Sequence, residues 1–188
     1  MGGRWCIRGG QVEHPVRPAV PPVQRRYLTG LGHRFIGHVS GIPSYQHTRR
    51  RMRAIGDARE TLGIDIASVA TDYSDTQGAS ATRRLLEARP RCTAIIYDSD
   101  VMAAAGLGVA TEMAVSVPGD VSIVSFDDSI LTQLPHPPIT ALTRDTYALG
   151  MLTATELLHV MAERPEPRAV QAPTPELVVR GSTAPPGG

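Results

Sequence analysis

Two short apolar runs, each closed by acidic residues, decide what this chain can fold into. Residues 92–97 run into Asp98-Ser99-Asp100, and residues 121–126 run into Asp127-Asp128. Between them lies the Ala-rich segment 101–113, followed by the turn signature Val117-Pro118-Gly119-Asp120. This pattern predicts strand, helix, strand. Two buried strands joined through a helix make a parallel unit with a right-handed crossover. Asp100 is the expected N-cap of the helix. Both acidic clusters then fall at the carboxyl ends of parallel strands, the edge where open α/β sheets bind ligands.

The same stretch is similar to the effector-binding domain of LacI/GalR-type transcriptional repressors. The residues that carry the resemblance are Ser99-Asp100, Val117-Pro118-Gly119-Asp120-Val121-Ser122-Ile123-Val124-Ser125-Phe126-Asp127-Asp128 and Pro137-Pro138-Ile139-Thr140. Ser99 stands where the family usually has Asn, and Ser125 where it has Gly. The segment 31–41, LGHRFIGHVSG, resembles the part of the family that opens its second lobe, and the ending Ser182-Thr183-Ala184-Pro185-Pro186 resembles the family's ending. The resemblance implies an α/β fold with a parallel sheet flanked by helices. It corresponds to the C-terminal lobe of a periplasmic-binding-protein-like (type I) bilobed domain. It covers roughly residues 27–185.

The organisation expected on that basis has four parts. Residues 1–26 carry five Arg, four Pro and four Gly without any period of 2 or 3.6, which predicts disorder. Residues 27–143 form the effector-binding lobe, completed by a strand within 176–181. Residues 144–175 are a crossover helix and Pro-rich loop that the resemblance assigns to the first lobe. Residues 182–188 are a tail. The helix at 146–163, capped by Asp145, shows an apolar stripe of Leu149, Leu152, Leu157, Val160 and Met161. A DNA-binding headpiece and most of a first lobe are expected to lie outside this chain.

Composition narrows the chemistry. All 19 basic residues are Arg. Chemistry that needs a Lys nucleophile, a Schiff base or a P-loop lysine is thereby excluded. A net charge of +1 does not mark a nucleic-acid binder. Two distant cysteines predict no disulfide framework and a cytoplasmic setting. No apolar run approaches the ~18 residues that span a bilayer, so no membrane partner is expected. His33 and His38 lack further ligands at metal spacing and read as strand residues. No cofactor is expected.

The resemblance also implies a site. Arg51 falls on the Arg of the family pattern S-x-x-x-R-x-x-G-[FW], with Ala54 and Ile55 where Gly and an aromatic are usual. A guanidinium suits a polyol because its donors form a fixed fork. Arg49, Arg50 and Arg53 read as a solvated face, with a DNA-binding basic helix as the alternative. Tyr73 takes the place of a sugar-stacking aromatic, and Asp127 that of a carboxylate that accepts from ligand hydroxyls. Ser99 and Arg144 occupy two further pocket positions. Arg144 would either favour an acidic ligand or pair with Asp127 or Asp145. The implied ligand is a small sugar or related polyol. The implied partner is a second copy, through Met102, Ala104, Ala105, Ile130, Leu131 and Leu134, although these side chains also suit an internal core.

Two other functions fit parts of the sequence. A transport-type sugar-binding protein shares the bilobed fold but would need an export signal. A haloacid-dehalogenase-like phosphatase would use Asp98 as nucleophile and Asp100 as its partner at Mg²⁺. Val101-Met102 replaces the Gly-Thr that such a motif has, and Lys is absent. The leading expectation is a non-enzymatic sensor.

Overall fold

The computed structural model describes residues 6–8, 11–13, 23–163 and 173–187. The chain divides into two compact units, Val20–Thr143 with Leu177–Gly188, and Met1–Ala19 with Arg144–Glu176.

The first of these is built on a sheet of six strands. In chain order these are β3 (Phe35–Ser40), β4 (Asp65–Ala70), β5 (Ala94–Tyr97), β6 (Ser122–Ser125), β7 (Thr140–Thr143) and β8 (Glu176–Val178). Their spatial order is β4-β3-β5-β6-β7-β8, and β4-β3, β3-β5, β5-β6 and β6-β7 are parallel pairs. The connecting helices are α2 (Gln46–Leu62), α3 (Asp75–Glu87), α4 (Asp100–Glu112) and the short α5 (Ile130–Gln133). Helix α1 (Val23–Gly30) precedes β3.

Alternation along the strands builds two cores. Ile95, Tyr97 and Ile123 face a cluster with Leu85, Leu86, Met102, Leu107 and Ala110 from α3 and α4. Ala94, Ile96 and Val124 face a second cluster with Leu28, Ile36, Phe126 and Leu142. This is the period of two that a sheet buried on both faces requires. Small residues bring the layers together. A Cβ at Gly106 would overlap the Tyr97 hydroxyl, and one at Gly78 would press on Met102. The buried Tyr97 hydroxyl is satisfied by Thr82 Oγ1 at 2.8 Å.

Local capping sets the helix ends. Ser74 accepts from Gln77 N and caps α3, Gly63 ends α2 in the left-handed conformation, and Asp145 Oδ1 accepts from Ala148 N at the start of α6 (Thr146–Glu163). Helix α4 differs. Its N-cap is Ser99, whose Oγ accepts from Met102 N, while Asp100 is already the first helical residue. Both are good caps, and extended backbone at Ser99, φ −145°, decides between them.

The N-terminal expectation is corrected where the structure describes it. Cys6–Arg8 (β1) and Gln11–Glu13 (β2) pair antiparallel, and α1 spans Val23–Gly30. The rest of 1–22 lies outside the described residues. Within α1, Gln24 and Arg25 are buried. Gln24 Nε2 donates to Ser125 O, and the Arg25 guanidinium to Ala54 O.

The tail expectation is corrected too. Ser182 is fully buried and is woven into the sheet. Its Oγ donates to Ile123 O at 2.6 Å and accepts from Thr140 N, while its carbonyl accepts from Ile123 N. The final strand, expected within 176–181, is Glu176–Val178.

In the other unit, α6 exposes Tyr147, Met151, Leu157, Leu158 and Met161. Residues 164–172, the expected Pro-rich loop, lie outside the described residues.

Candidate functional site

The carboxyl ends of β3, β4, β5 and β6 deliver Gly41, Thr71–Tyr73, Asp98 and Phe126-Asp127 to one edge of the sheet. Helix α2 follows the end of β3, so its first turns stand beside that edge. Its residues Thr48 and Arg51 share a face at spacing i, i+3.

Arg51 is the centre of the arrangement and is 9% exposed. Its Nη1 donates to Asp98 O at 3.0 Å and lies 3.4 Å from Asp98 Oδ1. Its Cζ sits 3.8 Å above the centre of the Phe126 ring. A cation over an aromatic face is attracted by the ring quadrupole. Phe126 directly precedes Asp127, so Arg51 and the β6 end meet although 75 positions separate Arg51 from Phe126 (126 − 51). Arg51 therefore lies beside the loop that carries Asp127.

Asp98 is 1% exposed and holds three donors. His38 Nε2 donates to its Oδ1 at 3.2 Å, Gly41 N donates to Oδ2 at 3.2 Å, and Arg51 adds the contacts above. Burial pushes the Asp98 carboxyl up. The His38 hydrogen bond and the charges around it outweigh burial, and the net direction is down. A carboxylate only accepts, so His38 Nε2 carries the proton, and Ser68 Oγ stands 3.4 Å from the other ring nitrogen.

Tyr73 is the strained member, with φ 72° in the left-handed region. Such a residue costs on the order of 1–3 kcal/mol and persists where its surroundings over-determine it. Its hydroxyl meets His47 Nε2 at 2.8 Å and Thr48 Oγ1 at 2.9 Å, and its ring lies so close to Gly41 that a Cβ there would overlap it. Tyr45 stacks near it, with centroids 6.4 Å apart at 19°. Burial raises the Tyr73 pKa, and the nearby charges of Asp98, Arg51 and Asp127 act on it as well. Tyr73 follows the carboxyl end of β4, and its bond to Thr48 ties it to the helix that carries Arg51.

Asp127 is half-buried and its backbone is clamped. Ser125 Oγ donates to Asp127 O at 2.7 Å and accepts from Asp127 N at 3.2 Å. The Gly-to-Ser departure therefore fixes the loop that presents Asp127. Asp128 turns to a structural role, accepting from Arg180 Nη2 and Thr132 Oγ1, each at 2.7 Å.

The remaining predicted residues divide. Ser99 stands next to Asp98 but spends its Oγ on the α4 cap. Arg144 belongs to the other unit, where its carbonyl accepts from Thr146 N. Met102 is 0% exposed and offers no surface to a partner, which corrects its place in the expected interface. Ala104 and Ala105 are half-buried, and Ile130, Leu131 and Leu134 are exposed. Among the described residues no group of three or more His, Cys, Asp or Glu could hold a metal ion. His33 instead bridges Thr93 and Ala184.

Sequence reasoning missed Asp98 and His38 as members of this site. A signal was available. Two residues of opposite polarity at adjacent strands, both flanked by apolar neighbours, have to satisfy each other once buried.

The periplasmic binding protein-like domain family matches residues 25–183. An HTH-type transcriptional regulator of Streptomyces limosus is 37% identical over 202 residues, covering 100% of this chain and 57% of that protein. The regulator MalR of Streptomyces coelicolor is 32% identical, covering 84% of this chain and 47% of MalR. The chain thus spans about half the length of these curated relatives. A crystal structure of a LacI family transcriptional regulator from Bifidobacterium animalis superposes with a TM-score of 0.86 at 40% identity, covering 91% of this chain and 63% of that one. The parallel sheet, the VPGDVSIVSFDD segment and these likenesses agree: the chain belongs to the periplasmic binding protein-like domain family and is part of an effector-binding domain of the LacI type.

Proposed function

We propose that this domain senses a small neutral polyol, a sugar, on behalf of a cytoplasmic LacI-type repressor that binds DNA through a separate headpiece. The observation that carries the reading is the gathering of Arg51, Tyr73 and Asp127 at the carboxyl edge of one sheet. Each suits a polyol in a different way. The guanidinium donates in a fixed fork, the carboxylate accepts from hydroxyls, and a tyrosine ring offers an apolar face. Ser99, beside Asp98 at the same sheet edge, joins the contact set that we assign to the ligand. No cofactor is needed for such a role. A transcriptional regulator CelR, 26% identical, has a solved complex with cellobiose, which makes neutral disaccharides the first probes.

A phosphatase reading is disfavoured by Asp98. A nucleophile has to reach its substrate, and Asp98 is buried with both oxygens engaged. The likeness to regulators also separates this domain from transport-type binding proteins.

The deciding experiment is a thermal-shift screen of a protein carrying this domain and its partner lobe, with cellobiose, maltose and nucleosides against sugar phosphates. The expected result is stabilisation by a neutral sugar that Asp127→Ala abolishes. Stabilisation by phosphorylated compounds alone overturns the reading.

A further inference from the structure

Arg51 is held by a carboxylate that does not itself reach solvent. Buried ion pairs add little net stability, because desolvation consumes most of the attraction. Here the geometry is unusually complete. The Asp98 carboxylate takes donors from β3 through His38 and from the β3–α2 loop through Gly41 N, while Arg51 of α2 donates to the Asp98 backbone carbonyl at 3.0 Å and pairs with the carboxylate at 3.4 Å. Phe126 closes the perpendicular direction, 3.8 Å below the guanidinium. The donors around Asp98 are themselves fixed: His38 has 1% exposure, with Ser68 Oγ 3.4 Å from its second nitrogen.

We propose that Asp98 and His38 are positioning residues for Arg51, fixing its guanidinium in plane against the Phe126 ring so that its other N–H groups are presented to a ligand. Asp98 neutralises the charge of Arg51 while it orients the fork, so Arg51 acts as a rigid donor plate and not as an attractor of anions. Ser68, His38, Asp98 and Arg51 form one chain of contacts running from the edge strand β4 to helix α2. The ligand half of this statement rests on the proposed sugar-sensing role. The positioning half does not.

The test reads Arg51 directly. In the ¹⁵N-labelled 188-residue chain, the Arg51 guanidinium signals are assigned by their loss in Arg51→Lys. The wild type is expected to show resolved Nη signals, the mark of restricted rotation about Nε–Cζ. Asp98→Asn is expected to average them, with rotation faster by about tenfold or more, as losing a charge-assisted contact implies. A merely structural Asp98 would lower the unfolding midpoint and leave Arg51 rotation in the folded protein unchanged. Resolved signals that persist in a folded Asp98→Asn variant overturn the proposal, as do averaged signals in the wild type. His38→Gln keeps the Asp98 carboxylate and serves if Asp98→Asn fails to fold; faster Arg51 rotation in it supports the proposal and unchanged rotation overturns it. Cellobiose and maltose are then titrated into the partner-lobe-containing protein. Released Arg51 with no response to any sugar leaves the positioning role standing and removes the sugar reading alone.

Discussion

Arg180 Nη2 donates to Asp128 Oδ2 at 2.7 Å and Arg180 Nη1 to Ile139 O at 2.7 Å, so one side chain joins the loop after β6 to the start of β7. Burial raises the Asp128 pKa, but hydrogen bonds from Arg180 and Thr132 prevail and the net shift is down. A carboxylate whose folded pKa is depressed contributes stability above its unfolded value, about 3.9, and loses it as pH falls through the folded value. Arg180→Met is expected to cost about 1.5–3 kcal/mol at pH 7, the range for hydrogen bonds to charged groups. Urea unfolding at pH 7 and pH 3 checks this. The gap between variant and wild type should narrow in acid.

Two glycines on α4 give opposite expectations. Gly106 faces the Tyr97 hydroxyl, and a Cβ would collide with it; Gly108 has nothing within 4 Å. Gly106→Ala is therefore an overpacking change, expected to cost about 1–3 kcal/mol. Gly108→Ala should stabilise by about 0.5–1 kcal/mol through helix propensity. Chemical denaturation of both variants provides the comparison. Equal effects would mean that α4 does not pack on β5 as described.

Much of this architecture was legible in the residues. The apolar runs at β5 and β6 closed by acids, Gly63, and the Ser74 cap all state their structure locally, because turn chemistry and strand period are local properties. What was not legible depended on distant partners. Ser182 reads as a polar tail residue until Ile123 and Thr140 supply its bonds. Arg25 and Gln24 read as part of a Pro-rich polar leader until Ala54 and Ser125 accept from them. At the site the sequence marked Arg51 and Asp127 by family pattern, yet Asp98 carries the arrangement, and its role exists only because β3, β5 and α2 meet. The Met102 assignment failed for a related reason. An Ala-rich helix shows no strong stripe, so the chain alone does not tell its buried face from its exposed one.

We propose that exposed apolar side chains on α5 and beside it meet a second copy of the chain, the partner that the sequence resemblance implies. Ile130, Leu131 and Leu134 are 59%, 41% and 68% exposed, and Val101 on α4 joins them as an exposed apolar side chain. Leu134→Glu should leave the fold unchanged and shift sedimentation from dimer to monomer. A charge at the centre of an apolar contact typically weakens it by about 2 kcal/mol or more. A variant that stays dimeric would move the interface elsewhere.

Cys92 is expected to be inert in the folded protein. Burial pushes its thiol up to about 11, and its Sγ lies against Leu85 O. The thiolate is the reactive form, and at pH 8 almost none of it is present. Iodoacetamide followed by peptide mass spectrometry should modify Cys92 only after denaturant is added. Native-state labelling at a rate near that of a free thiol would contradict the packing.

His33 should give the protein an acid-sensitive latch. Its Nε2 donates to Ala184 O at 2.9 Å, and a carbonyl can only accept, so that nitrogen carries the proton. Nδ1, 2.8 Å from Thr93 Oγ1, then accepts from the hydroxyl. A charged ring could instead donate to Thr93 Oγ1, whose proton has Phe35 O within reach at 3.4 Å, so burial and not the hydrogen-bond pattern favours the neutral form. Burial lowers the His33 pKa, and the Ala184 carbonyl opposes it less strongly. With a folded pKa below the unfolded value of about 6.5, the unfolded chain binds more protons in acid. The contribution of His33 is therefore fully present above about pH 6.5 and is lost as pH falls through its folded value. Asp98 and Asp128 also lose their contributions in acid, but only below the ordinary carboxylate range, so the windows separate. His33→Gln keeps a donor for Ala184 and removes the titration. Its deficit in urea midpoint against wild type should be largest near pH 7.5 and shrink toward pH 5. A deficit that stays constant over that range would show that His33 does not titrate differently in the folded and unfolded states.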